Sequence, residues 1–214
     1  MAYLDIDPAI CEHLHDKNEL DLMFEIAREG KIAMGIGEIL SLYRLAKRTA
    51  HLPGAIAEVG VYRGGSAKMM GIASAQKKAI YLFDTFEGIP QATAGVDHVL
   101  VGQFANSLEN VKNYLSEFSC FKFHPGVFPE SAVFLNDSSE TFSMVNLDTD
   151  IYSGTLSGLN FFYPRMDPHG VIVVHDYNSK SCPGVRKAVD EFAANIPETL
   201  IDLWSTQALI CKSK

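Results

Sequence analysis

Apolar residues recur at two different periods along this chain. Ile36, Ile39, Leu40, Tyr43 and Ala46 follow i, i+3, i+4, i+7 spacing, with Arg44, Lys47 and Arg48 near the end, which predicts an amphipathic helix. Pro53-Gly54 stops it. The first fifty or so residues read as helical. Beyond Gly54 the period changes. Short apolar runs at Ala55–Val61, Ala79–Phe83, Phe121–Phe123, Phe142–Leu147 and Val171–Val174 predict five strands. Helical stretches alternate with them at Gly65–Gln76, Thr155–Tyr163 and Gly184–Ala194. Another follows the series Phe104, Leu108, Val111, Leu115, Phe118. Leu200–Trp204 and Ala208–Cys211 predict two last strands, joined by only Ser205-Thr206-Gln207.

Strands that are apolar almost throughout and alternate with helices predict a parallel sheet covered on both faces. The short final connection cannot be a crossover, so the last two strands form an antiparallel hairpin at the sheet edge. The expected fold is therefore α/β, a doubly wound, mostly parallel seven-stranded sheet. It divides into an N-terminal helical cover over 1–54 and a sheet core over 55–214. The helices of the cover either shield the sheet or serve contacts in a homodimer, and the sequence leaves both open.

Charge narrows the partners. Lys plus Arg total 18 against 26 Asp plus Glu, a net charge of −8 over 214 residues. That balance lacks the basic footprint of a nucleic-acid binder. No apolar run approaches the roughly 20 residues that span a bilayer, and no basic amphipathic helix suggests a membrane surface. The acidic start Met1-Ala-Tyr-Leu-Asp-Ile-Asp does not read as a secretory signal. Cys11, Cys120, Cys182 and Cys211 are scattered without a CxxC pair. Buried, reduced thiols in a cytoplasmic protein are expected, not a disulfide framework or a zinc site.

In such a sheet a ligand lies beyond the carboxyl ends of the strands. The first strand ends Glu58-Val59-Gly60-Val61-Tyr62-Arg63-Gly64-Gly65-Ser66. Its glycines allow a tight turn, and the next helix offers free N–H groups to a ligand. The GxxxGG spacing differs from the GxGxxG of dinucleotide enzymes. Asp84, at the end of the second strand, is placed to accept ribose hydroxyls or to cap a loop. The fourth and fifth strands end Asn146-Leu147-Asp148-Thr149-Asp150 and Val173-Val174-His175-Asp176-Tyr177. These ends gather Asp148, Asp150, His175 and Asp176, which can ligate a divalent cation or supply a general base. Helix capping is the alternative use, above all for Asp150.

The strings AEVGVYRGGSAKMM, LFDTFEGIP, GVFPES, NLDTDIYSGTLSGLNFFYPRMDPHGVIVVHDY and GVRKAVDEF resemble the TylF/macrocin O-methyltransferase family. They run in order from about Ala57 to Phe192. The resemblance implies a Rossmann-like, S-adenosylmethionine-dependent O-methyltransferase acting on a hydroxyl of a sugar or other natural-product small molecule. Glu58 and Gly60 would lie against the methionine moiety, with Tyr62, Gly64 and Ser66 in the same cofactor loop. Asp84 would hold the ribose, and Phe128 would lie near the adenine. Asp148 matches the first acid of an LDxDxY motif, and Asp176 the second acid of an acid-acid-Tyr motif. The first acid of that pair is here His175. Magnesium prefers oxygen ligands and imidazole suits softer metals. A site of Asp148, His175 and Asp176 therefore leaves open magnesium, a softer divalent metal, or none. His175 or Asp148 is expected to take the hydroxyl proton. The Gln91–Gly102 segment is expected to be a lid over the acceptor or an ordinary surface loop. Two rivals stand beside this expectation. One is a different nucleotide-cofactor enzyme, such as a nicotinamide dehydrogenase, and the other is a non-catalytic S-adenosylmethionine-binding protein.

Overall fold

The structure, a computed structural model, describes residues 16–203 and 205–214. The expectations for the Met1–Asp7 stretch, Cys11 and Trp204 lie outside these residues. Helices α1 (Lys17–Arg28) and α2 (Ile36–Thr49) precede the sheet. Then follow β1 (Ala55–Val59), α3 (Gly65–Ala73), β2 (Ile80–Asp84), α4 (Leu108–Tyr114) and β3 (Phe121–Pro125). After a 3-10 segment at Glu130–Leu135 come β4 (Phe142–Leu147), α5 (Tyr152–Phe162), β5 (Met166–Val174) and α6 (Pro183–Ala193). Strands β6 (Leu200–Asp202) and β7 (Ala208–Cys211) complete the chain.

The seven strands are ordered β3-β2-β1-β4-β5-β7-β6. The first five are mutually parallel, and β7 pairs antiparallel with both β5 and β6. This is the expected doubly wound sheet with its antiparallel hairpin. Strand residues alternate between two cores, as the two-residue period requires. Ile56, Ile80, Leu82, Met144 and Val173 face a cluster with Met23, Ile26, Ile39 and Met69 of α1–α3. Ala57, Val59, Phe83, Val145 and Val174 face a second cluster with Leu159, Phe162, Val185 and Val189 of α5 and α6. Glu58 breaks the pattern: it sits at a fully buried position of β1.

The N-terminal helices share one core cluster with the sheet, so they cover it. Asp16 caps α1 with its carboxylate, which accepts from the Asn18 and Glu19 amides. Several boundaries differ from expectation for local reasons. Strand β1 stops at Val59 because Gly60 turns into the left-handed region at φ +88. Helix α3 stops at Ala73, and Ala75 and Gln76 follow at positive φ. Helix α4 starts at Leu108 and not at Phe104, because the Ser107 side chain accepts from the Asn110 amide and caps it there. Phe104 is left in a loop at φ +64, its ring edge-on to Tyr62 at 5.7 Å. Cys120 and Cys182 are buried thiols as expected, but Cys211 is exposed at the end of β7. Alternation along that strand turns Ala208 and Ile210 inward and Cys211 outward.

Candidate functional site

The carboxyl ends of β1, β2, β4 and β5 open into one cavity of about 630 Å³. Its floor is continuous backbone. The Gly60 amide donates to the Phe83 carbonyl, the Asp148 amide to Val59, and the His175 amide to Leu147, each near 2.9 Å. Gly60 fits this joint because it has no side chain: a Cβ there would lie 1.8 Å from the Asp148 carbonyl oxygen. Loop after β1 and loop after β4 are thereby locked together.

Asp84 organises the glycine loop. Its Oδ2 accepts from the Val61 and Tyr62 amides at 2.7 and 2.9 Å, and its Oδ1 from the Phe86 amide at 2.7 Å. Oδ2 thus has both lone pairs taken, Oδ1 keeps one free, and Asp84 lines the cavity. The loop-capping use weighed for this residue is therefore realised, and capacity for a further donor is kept. Gly60, Tyr62 and Phe128 also line the cavity. Phe128 stacks on Phe162 at 5.4 Å and meets Phe83 edge-on at 5.4 Å.

Glu58, Gly64 and Ser66 are packed into the protein and do not line the cavity wall. Glu58 Oε1 accepts from Asn146 Nδ2 at 2.9 Å, while Oε2 has no partner among the described residues. Burial pushes the Glu58 carboxyl up to about 8; the Asp148 and Asp84 charges add to that, against hydrogen bonds from Ser66 and Asn146.

The acid–histidine cluster forms as expected from the two strand ends. His175 Nδ1 lies 3.0 Å from Asp148 Oδ1 and 3.1 Å from Asp176 Oδ2. One ligand atom from each of Asp148, His175 and Asp176 falls within 4.8 Å of the others. On the far side of the ring, Nε2 lies 3.2 Å from Glu38 Oε2 of α2. Burial of the ring acts to lower its pKa. The Asp148 charge and the hydrogen bonds to Asp148, Asp176 and Glu38 outweigh it and raise the pKa well above the usual value. The three surrounding carboxylates thus favour the protonated form of the imidazole over the neutral one.

Two further groups belong to this site. Asp150, at φ +61, lines the cavity, and its carboxylate lies within 4.8 Å of that of Asp176, itself at φ +61. Burial and the Asp148 and Asp176 charges raise the Asp150 pKa. Burial also acts to raise that of Asp176, but the His175 hydrogen bond and charge bring it down. Glu38 was hidden within an apolar helical stripe. The signal that could have found it is an acid on that stripe at capping-box spacing from Gly35.

The segment between Ile89 and Gln103 is closed at its neck by two backbone bonds, Ile89 N to Gln103 O and Gly102 N to Ile89 O, at 3.0 and 2.9 Å. Asp97 ties its middle down. Its Oδ1 accepts from the Tyr152 amide at the start of α5 at 2.9 Å, and its Oδ2 from the Thr93 amide at 2.7 Å. Gln91, Val99 and Gln103 of this segment line the cavity.

Among solved structures, the chain is similar to the O-methyltransferase NovP, with a TM-score of 0.74 and 24% identity over 86% of this chain and 83% of that one. It also resembles the O-methyltransferase TomG from Streptomyces achromogenes in complex with SAM (TM-score 0.62, 16% identity, 94% and 92% covered). At these identities the likeness shows the fold. Demethyldecarbamoylnovobiocin O-methyltransferase of Streptomyces niveus is 30% identical over 72% of this chain and 64% of its own length. Mycinamicin III 3''-O-methyltransferase of Micromonospora griseorubida is 28% identical over 66% and 61%. The chain thus spans less than two thirds of the length of these curated relatives. Residues 43–208 match the family model described as Macrocin-O-methyltransferase (TylF). With that match over most of its length, the chain belongs to the TylF macrocin O-methyltransferase family.

Proposed function

We propose that this protein is an S-adenosylmethionine-dependent O-methyltransferase whose acceptor is a hydroxyl of a sugar or other natural-product small molecule. The observation that carries this is the joint between Gly60 and Asp148, which places the cofactor loop and the acid–histidine cluster in one cavity. The cavity volume lies in the range of small-molecule sites. The named acceptors of the curated relatives, novobiocin and mycinamicin compounds, support the substrate class. A net charge of −8 favours a small molecule over nucleic acid as the partner. Among the described residues no helix is long and apolar enough to cross a membrane.

Bound S-adenosylmethionine supplies an electrophilic methyl carbon on a sulfonium centre. Gly60, Tyr62 and Asp84 would hold it at the strand ends, Phe128 would pack near its adenine, and Glu58, Gly64 and Ser66 would support the loop from within. Segment Gln91–Gly102 limits water and aligns the acceptor; alignment can lower such a barrier by about 7–11 kcal/mol at best. Asp148 would take the proton of the acceptor hydroxyl, leaving its oxygen free to accept the methyl group that the cofactor would supply. Protonated His175 holds the Asp148 and Asp176 carboxylates in place. A second reading gives the base role to Asp150, whose raised pKa suits a hydroxyl proton better once it is deprotonated.

The donor set of Asp148, His175 and Asp176 also fits a divalent cation that tolerates imidazole, with Glu38 backing the ring as carboxylates back metal-bound histidines. A cation there would make an acceptor hydroxyl more acidic. Transfer of labelled methyl from S-adenosylmethionine to a panel of glycosylated acceptors tests the proposal. Turnover that is lost in Asp148→Ala is expected; tight cofactor binding with no turnover on any acceptor favours a binding protein instead.

A further inference from the structure

We propose that Glu38 is a positioning residue for methyl transfer, holding the His175 ring so that Nδ1 faces Asp148 and Asp176. This deepens the methyltransferase proposal and rests on it. Glu38 stands at the third position of α2 and closes a capping box: its Oε2 accepts from the Gly35 amide at 2.8 Å. A cap needs no more than that contact and is ordinarily solvent-exposed. Here the residue is 4% exposed, and its other contacts all run to the site. Oε2 also meets His175 Nε2 at 3.2 Å. Oε1 accepts from the Thr206 amide at 3.1 Å and from Thr206 Oγ1 at 2.6 Å. Thr206 Oγ1 in turn accepts from the Asp176 amide at 3.3 Å.

Glu38, His175, Asp176 and Thr206 thus close a ring of bonds across three elements far apart in sequence. A carboxylate buried this deeply is costly unless charge-paired and fully bonded, and both conditions are met only through His175 and Thr206. With the proton on Nε2, alone or alongside one on Nδ1, the ring donates to Glu38 in the same geometry. That bond prevents the ring from flipping, which would put carbon where Nδ1 meets Asp148 and Asp176. The N-terminal helices therefore do more than cover the sheet; one of them supplies part of the transfer site.

The test uses the full chain with Glu38→Ala, Glu38→Gln and Thr206→Val. The first readout is the His175 Nε2 proton that faces Glu38, a downfield proton resonance told from the Nδ1 proton by its one-bond ring nitrogen shift, lost in His175→Asn and recorded without cofactor or acceptor. The second is the split between kcat and KM. In Glu38→Ala the resonance disappears and kcat falls on the order of 10–100-fold, with S-adenosylhomocysteine affinity within about twofold. Glu38→Gln recovers part of both, because its amide oxygen still accepts from Nε2. Thr206→Val, which leaves His175 untouched but frees one side of Glu38, gives a smaller loss. A folded Glu38→Ala that keeps the ring proton and kcat while losing only thermal stability overturns the proposal. Should that variant not fold, an unchanged ring proton and kcat in both other variants overturn it equally. If the wild type methylates nothing, the methyltransferase proposal fails, while the ring proton still decides whether Glu38 holds His175.

Discussion

Gly60 packs its α-carbon directly on the peptide carbonyl of Asp148, with no room for a methyl group between them. The contact joins a loop after β1 to a loop after β4, and so joins the glycine loop to the acid–histidine cluster. Gly60→Ala must move one loop off the other and also strain a backbone at φ +88. Overpacking of this kind costs about 1–3 kcal/mol. The expected result is a lowered Tm and S-adenosylhomocysteine affinity reduced by tenfold or more (about 1.4 kcal/mol per tenfold). Thermal denaturation and calorimetry measure both, and wild-type affinity would show that the joint does not shape the cofactor loop.

Removing Asp148 or Asp150 distinguishes the two candidate bases. Asp148→Asn and Asp150→Asn keep shape and lose the proton-accepting charge. Whichever is the base should lose about 10²–10⁴-fold in kcat, with cofactor affinity nearly unchanged. His175→Ala should also cripple kcat, because Asp148 and Asp176 then lose the donor they share. Equal wild-type rates in Asp148→Asn and His175→Ala would remove both from the transfer site.

Glu58 gives a prediction about pH. Its folded pKa, about 8, lies above the ordinary carboxylate value. Between those two values the folded state holds a proton that the unfolded state has released, so stability falls as pH rises. The contribution is fully present below the unfolded pKa and is lost by about pH 8. Glu58→Gln carries a permanently neutral amide at the same site. It should flatten the fall in Tm from pH 5 to 8, gaining most over the wild type at the alkaline end. Parallel Tm-versus-pH curves for the two proteins would rule out a protonated Glu58.

Asp97 holds the segment over the cavity through the Tyr152 and Thr93 amides. Asp97→Ala frees that segment and leaves the first amide of α5 without a partner, at a cost of about 1 kcal/mol, as for a lost helix cap. Acceptor KM should rise severalfold while S-adenosylhomocysteine affinity stays constant. An unchanged KM would make the segment an ordinary surface loop.

Much of this architecture was legible because its strands are buried on both faces. Val171–Val174 is a continuous apolar run and Phe142–Leu147 is broken only by Ser143 and Asn146, as strands of a doubly covered parallel sheet read. Asp148, His175 and Asp176 were legible because strand ends place a ligand. Other features depend on contacts that no local pattern carries. The apolar series continues from Phe104 into α4, yet the Ser107 cap starts the helix four residues later, at Leu108. Glu38 looks like a polar residue at the start of an amphipathic helix, and its partner His175 lies 137 positions away. Asp150 fits a capping role in sequence, and only its burial beside Asp176 changes that.

Calorimetric titration with S-adenosylmethionine, S-adenosylhomocysteine and NAD tests the central claim most directly. One site per chain for both sulfur compounds, retained in Asp148→Ala and weakened in Gly60→Ala, with no heat from NAD, is the expected result. Binding of NAD alone would contradict the claim.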